Sequence, residues 1–122
     1  MSQKDPTVFI SHILDCIEKV EQYLKGRSKE DFLNSSQLQD AVVRRVEIIG
    51  EAATHIPEGI QEEYPKVKWK EAQGMRNILI HEYFGVDLDL TWEVTKKDLP
   101  RLKEQMISLK EDLRRPTSDN ER

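Results

Sequence analysis

Apolar residues in this chain return at intervals of three and four, and nowhere do they alternate one by one over the length of a strand. Ile10, Ile13, Leu14, Ile17, Val20 and Leu24 draw one stripe, and Leu38, Ala41, Val42, Val46, Ile49, Ala52, Ala53 and Ile56 draw a second. That interval belongs to the α-helix, whose 3.6 residues per turn bring positions i, i+3, i+4 and i+7 to one face. The expected fold is all-α, an up-and-down bundle of about four to five main helices with no sheet.

The punctuation between the stripes agrees. Gly26 should end a first helix over residues 7–24. Ser28 with Asp31 three positions on has the form of an N-cap and its reciprocal acidic partner, opening a short turn that carries Phe32 and Leu33. Asn34, Ser35 and Ser36 supply the next cap, and Pro57 closes the second long helix. Gly50 sits inside that helix at a cost of about 1 kcal/mol against alanine, so another backbone or a site should approach closely there.

Residues 57–65 read as a short helical or looped piece, followed by a cationic strip of Lys66, Lys68 and Lys70 around Trp69. A break or close contact is expected at Gly74. A helix should then run over 75–83 with Ile78, Leu79 and Ile80 buried, and Gly85 should stop it. Residues 88–97 are helical again, and Asp98 with Pro100 just after it starts a last helix bearing Leu102, Met106, Leu109 and Leu113. The expectation is one domain over residues 1–113 and a polar, disordered tail over 114–122.

Composition narrows the partners. Of 122 residues only 37% are hydrophobic while 34% are charged, which leaves a lean core and favours a homodimer that buries more surface. The formal net charge of -4 argues against a protein that coats nucleic acid through bulk charge, and DNA is not expected as a partner. A local basic patch is compatible with it, with Lys66, Lys68, Lys70, Arg44 and Arg45 as candidates for contact with RNA. Cys16 is the single cysteine, which removes an intrachain disulfide and a cysteine zinc cluster and suits a reducing cytoplasm. No apolar run approaches the roughly 20 residues of a membrane span, and no charged-then-apolar export signal opens the chain. A cytoplasmic protein is expected.

The chemistry is concentrated at 76–83. Arg76, Asn77, His81 and Tyr83 place a guanidinium, an amide, an imidazole and a phenol around three aliphatic residues. Arginine offers a planar fork of donors to a phosphodiester, histidine moves protons near neutral pH, and tyrosine carries a modifiable hydroxyl. On an ideal helix Asn77 and His81 share a face, while Arg76 and His81 lie roughly 140° apart, so one straight helix does not aim both at one phosphate. A twofold axis nearby would solve this by letting two copies grip each phosphate. The bland alternative pairs Arg76 with a surface carboxylate, leaves His81 at a helix end and packs Tyr83 on Trp92.

The segment resembles the R-x4-H-x-Y motif of the HepT family, within the HEPN superfamily of all-α ribonucleases. Further likeness follows in order: Ile48, Ile49, Gly50, Glu51, Ala52 and Ala53; Tyr64 and Pro65 with Trp69 and Lys70; Gly74 before Met75; Tyr83, Phe84, Gly85, Val86 and Asp87; and Asp98, Leu99 and Pro100. The resemblance implies a metal-independent endoribonuclease toxin with Arg76 and His81 as its catalytic pair and Asn77 in the polar position after the arginine. It also implies a minimal nucleotidyltransferase antitoxin of the MntA type as partner, which silences the toxin by adding AMP to a tyrosine. By position that tyrosine is Tyr83.

Elementary chemistry leads to compatible roles. RNA cleavage without a metal needs a base for the ribose 2′-hydroxyl, charge stabilisation at phosphorus and an acid for the 5′-oxygen; His81 suits the first or last task and Arg76 the middle one. One imidazole serves both ends with difficulty, so two copies of His81 across a homodimer cleft are an economical answer. Glu51, beside Gly50, is a candidate support for the pair. No cofactor or metal is implied: His12 and Cys16 make at most half a zinc site, and Glu51 with His55 lacks the facing carboxylates of a di-metal bundle. A noncatalytic helical protein that binds a nucleotide or serves as adaptor to a nucleotidyltransferase stays open as the other reading.

Overall fold

A computed structural model describes residues 5–77 and 87–115. Helix α1 (Pro6–Leu24) opens on Asp5, whose carboxylate accepts from the Thr7 amide, and it buries Ile10, Ile13, Cys16, Ile17, Val20 and Leu24. Gly26, at φ 73°, turns the chain after it in the left-handed region that glycine occupies without strain. The short α2 (Lys29–Leu33) carries the expected reciprocal cap: Ser28 Oγ accepts from the Asp31 amide at 3.0 Å, and Asp31 Oδ2 accepts from the Ser28 amide at 2.9 Å. Ser35 caps α3 (Ser36–Thr54) by accepting from the Leu38 amide.

The two long helices are antiparallel. Phe9 meets His55 near one end of the pair, the Cys16 thiol meets Arg45 in the middle, and Tyr23 faces Leu38 and Ala41 at the other. Two short helices follow, α4 (Glu58–Glu63) and α5 (Trp69–Gly74), and then a 3-10 turn, Met75–Asn77. Trp69 is buried, and its indole N–H donates to the Tyr64 carbonyl at 3.1 Å. Both α5 and the 3-10 turn pack on α3.

The final part of the chain departs from the expected break before Pro100. Helix α6 (Leu88–Glu93) passes through a π turn, Val94–Asp98, straight into α7 (Leu99–Arg114). Asp98 has helical backbone angles and makes no side-chain cap bond. The reason lies in Pro100, which has no N–H and whose ring would collide with the carbonyl of Lys96 in a regular α-turn. The wider turn avoids the conflict, with the Leu99 amide reaching the Val94 carbonyl. Helix α7 is antiparallel to α1: Lys103 Nζ donates to Glu21 at 2.9 Å, and Leu99 and Pro100 lie against Val20 and Leu24.

Leu99, Leu102, Met106 and Leu109 join the stripes of α1 and α3 in one core. Phe32 of α2 meets Trp92 of α6, and Lys29 pairs with Asp89, which ties the short helix to the last segment. The described residues contain helices and turns and no strand. None of these helices is long and apolar enough to cross a membrane.

Candidate active site

Helix α3 is the platform of the site. Its inner face is apolar, while Arg44, Glu47, Ile48 and Glu51 fall on an outer face that, with Arg76 and Asn77 of the 3-10 turn, lines an open groove. Gly50 makes the junction possible. A Cβ built there would lie 2.2 Å from the Arg76 nitrogen and 2.9 Å from its Cα, distances that real atoms do not tolerate. The close approach expected at Gly50 is therefore present, and its partner is the backbone of Arg76. At Gly74 a Cβ would meet nothing within 4 Å; there the α-helix gives way to the tighter 3-10 turn.

The Arg76 guanidinium donates to Glu51 Oε1 at 3.4 Å. The other Glu51 oxygen lies 3.2 Å from His55 Nε2, one helical turn further along α3. His55 in turn stacks on Phe9, with ring centroids 4.9 Å apart and planes 15° apart. One carboxylate thus spans two nitrogen groups, both roughly half exposed, so solvent screens the pairs and their value is orientation rather than stability. An exposed guanidinium held by one edge keeps donors free for an anion entering the groove.

The other charged residues divide by location. Arg44 lines the groove beside Glu47. Burial pushes the Glu47 carboxyl above the usual range, and the Arg44 guanidinium pulls it partly back. Arg45 faces α1 instead, where it reaches the Cys16 sulfur at 4.0 Å. Lys66 and Lys68 sit near α7: the Lys66 carbonyl accepts from Gln105, and Lys68 faces Arg101 and Gln105 across a small cleft. Lys70 is exposed on α5. Of the five candidate RNA contacts, only Arg44 shares the groove of Arg76.

His81 and Tyr83 lie outside the described residues, as do residues 78–83 of the helix expected over 75–83, whose first three residues form the 3-10 turn. Glu47 is the residue that motif spacing did not single out. Its signal was its position one turn before Glu51 on the polar face of a helix whose other face is core. Among the described residues, no group of three or more histidine, cysteine or acidic side chains could hold a metal ion.

Comparison with known proteins gives a consistent picture. A protein of Methanocaldococcus jannaschii, named as a gamma-glutamylcyclotransferase joined to a provisionally assigned RNase, is 51% identical over 111 residues, 91% of this chain. The chain spans 50% of that relative's length. A second, provisionally named RNase of the same organism is 41% identical over 106 residues, 87% of this chain and 97% of the relative. A protein of Thermococcus cleftensis provisionally named ribonuclease HepT is 39% identical over 109 residues, covering 89% and 96% of the two chains. No solved structure matches. The model of the family described as ribonuclease HepT-like matches residues 13–109, from the middle of α1 to the last buried leucine of α7, and the chain belongs to that family.

Proposed function

We propose that this protein is a metal-independent endoribonuclease toxin that cuts RNA with Arg76 and His81. The observation that carries the reading is the Arg76 guanidinium, fixed at its root by the Gly50 contact and at its tip by Glu51, at the mouth of an open groove in a HepT-like chain. Arg76 stabilises the charge that builds on phosphorus, Glu51 sets its orientation, and Asn77 supplies an amide beside it. His81 transfers protons. Arg44 supplies local positive charge for the neighbouring RNA phosphate, which an acidic chain needs at its site. A homodimer, with its twofold axis near residues 76–83, would bring a second set of groups to the cleft.

Control falls to a partner nucleotidyltransferase of the MntA type. The Tyr83 hydroxyl attacks the α-phosphorus of ATP, pyrophosphate leaves, and a tyrosyl-AMP phosphodiester remains. The added nucleotide fills the RNA path, and its negative charge competes for Arg76.

The test is cleavage of RNA by the purified, unmodified protein in EDTA. Products ending in a 2′,3′-cyclic phosphate and a 5′-hydroxyl are expected. Nucleotide binding without cleavage would select the second reading, a noncatalytic partner of the nucleotidyltransferase, which an exposed arginine held by one carboxylate would also serve.

A further inference from the structure

The groove contains a second carboxylate that the Arg76 and His81 assignment leaves unused. Glu47 lies one turn before Glu51 on α3, about 6 Å along the helix axis, and shares the groove with Arg76. The two glutamates are in different states. Glu51 divides its oxygens between Arg76 and His55, so both are already engaged. Glu47 forms no ion pair among the described residues, not even with Arg44 three positions away. It is also half-buried.

We propose that Glu47 is the general base of the cleavage reaction, removing the proton from the ribose 2′-hydroxyl. The inference rests on the ribonuclease reading above and names the group for its first step. With the scissile phosphate on Arg76, Glu47 is the carboxylate of the same groove that has no ion-pair partner among the described residues. The carboxylate takes the 2′-hydroxyl proton as O2′ bonds to phosphorus and the bond from phosphorus to O5′ breaks. O5′ leaves with a proton from an acid, the part assigned to His81. The products are the cyclic phosphate and the 5′-hydroxyl, and Glu47 then returns its proton to water.

Base and acid are thereby different groups, so two copies of His81 are not needed to fill both roles. The environment suits the task. Burial raises the affinity of Glu47 for a proton, and Arg44 partly offsets that rise. Among the described residues, the charged groups that line the groove with it are Arg44 and Glu51 on α3 and Arg76 on the 3-10 turn, with Asn77 the uncharged polar neighbour.

Three measurements test the role. Glu47→Gln should lower kcat on an RNA oligonucleotide by about 100-fold or more with little change in KM, the scale of losing a general base. It should also abolish the acid limb of the kcat/KM profile, which in the wild type lies above the ordinary glutamate value of 4.5. Glu47→Asp should keep that limb and recover part of the rate. The third uses an oligonucleotide with sulfur in place of the scissile O5′, a leaving group that needs no proton: Glu47→Gln should stay slow on it while His81→Ala recovers.

Wild-type rate, an unchanged pH profile, or recovery of Glu47→Gln on the sulfur substrate would overturn the role while leaving the ribonuclease reading standing. A wild-type chain that cleaves neither substrate would remove that reading first, and this role with it. Circular dichroism of each variant separates these results from misfolding.

Discussion

The backbone of Arg76 lies where a side chain at Gly50 would have to be: a Cβ on Gly50 would come within 2.2 Å of the Arg76 nitrogen. A helix-weakening residue in the middle of α3 is thereby explained by what crosses it. Gly50→Ala gains helix propensity but forces the 3-10 turn outward, and a net loss of about 1–3 kcal/mol is expected. RNA cleavage should fall further than stability predicts, because the guanidinium moves with its backbone. Gly59→Ala is the control: a Cβ there meets nothing within 4 Å, so it should stabilise by about 0.5–1 kcal/mol. Thermal denaturation and cleavage assays on both variants check the pair.

Arg76→Ala and His81→Ala should each abolish cleavage and growth inhibition. The Arg76 side chain is 49% exposed, so its removal should change stability by less than about 1 kcal/mol. Activity that survives in either variant, or that disappears only in step with unfolding, would remove the catalytic assignment.

Glu51→Gln keeps the shape of the carboxylate but cancels the charge that orients Arg76. A reduced kcat with the fold intact is expected, and His55→Ala should produce a smaller loss, since it frees only the far oxygen of Glu51. Steady-state kinetics on the two variants would rank them; the reverse order would mean that His55 acts on the groove independently.

Tyr83→Phe should fold and cleave RNA yet escape silencing by a partner nucleotidyltransferase. Intact-mass spectrometry after incubation with the partner and ATP should find AMP-sized additions on the wild type and none on the variant. Equal labelling of both would place the acceptor elsewhere, and silencing with no mass change would indicate occlusion by the bound partner.

The Cys16 thiol is buried, and burial raises its pKa above the ordinary 9.0, with the nearby Arg45 pulling the other way. A raised folded-state value means that the native state holds its proton longer than the unfolded chain. This stabilisation is complete below the unfolded pKa and is lost as pH rises through the folded one. Thiol reagents should therefore react slowly at neutral pH until the protein unfolds. The alkaline decline in stability should be shallower in Cys16→Ala than in the wild type, as read from denaturant midpoints across that range.

Much of the framework is decided locally and was legible in the residue order. The stripes of α1 and α3, the reciprocal Ser28 and Asp31 cap, the Ser35 cap and the helix stop at Gly26 depend on residues within a few positions of one another, where helical geometry makes spacing a sufficient guide. Gly50 announced a close approach but could not name the visitor. That Arg76 is the visitor, that Phe9 stacks on His55, and that Arg44 shares the groove while Arg45 turns to Cys16 depend on how α1, α3 and the 3-10 turn pack. Neighbours in sequence on a helix differ by about 100° in direction, so only the position of the other helices decides which of two adjacent arginines meets the groove. Glu47 became a candidate for the same reason: the sequence placed it one turn from Glu51, and the packing of the 3-10 turn on α3 put Arg76 in the same groove.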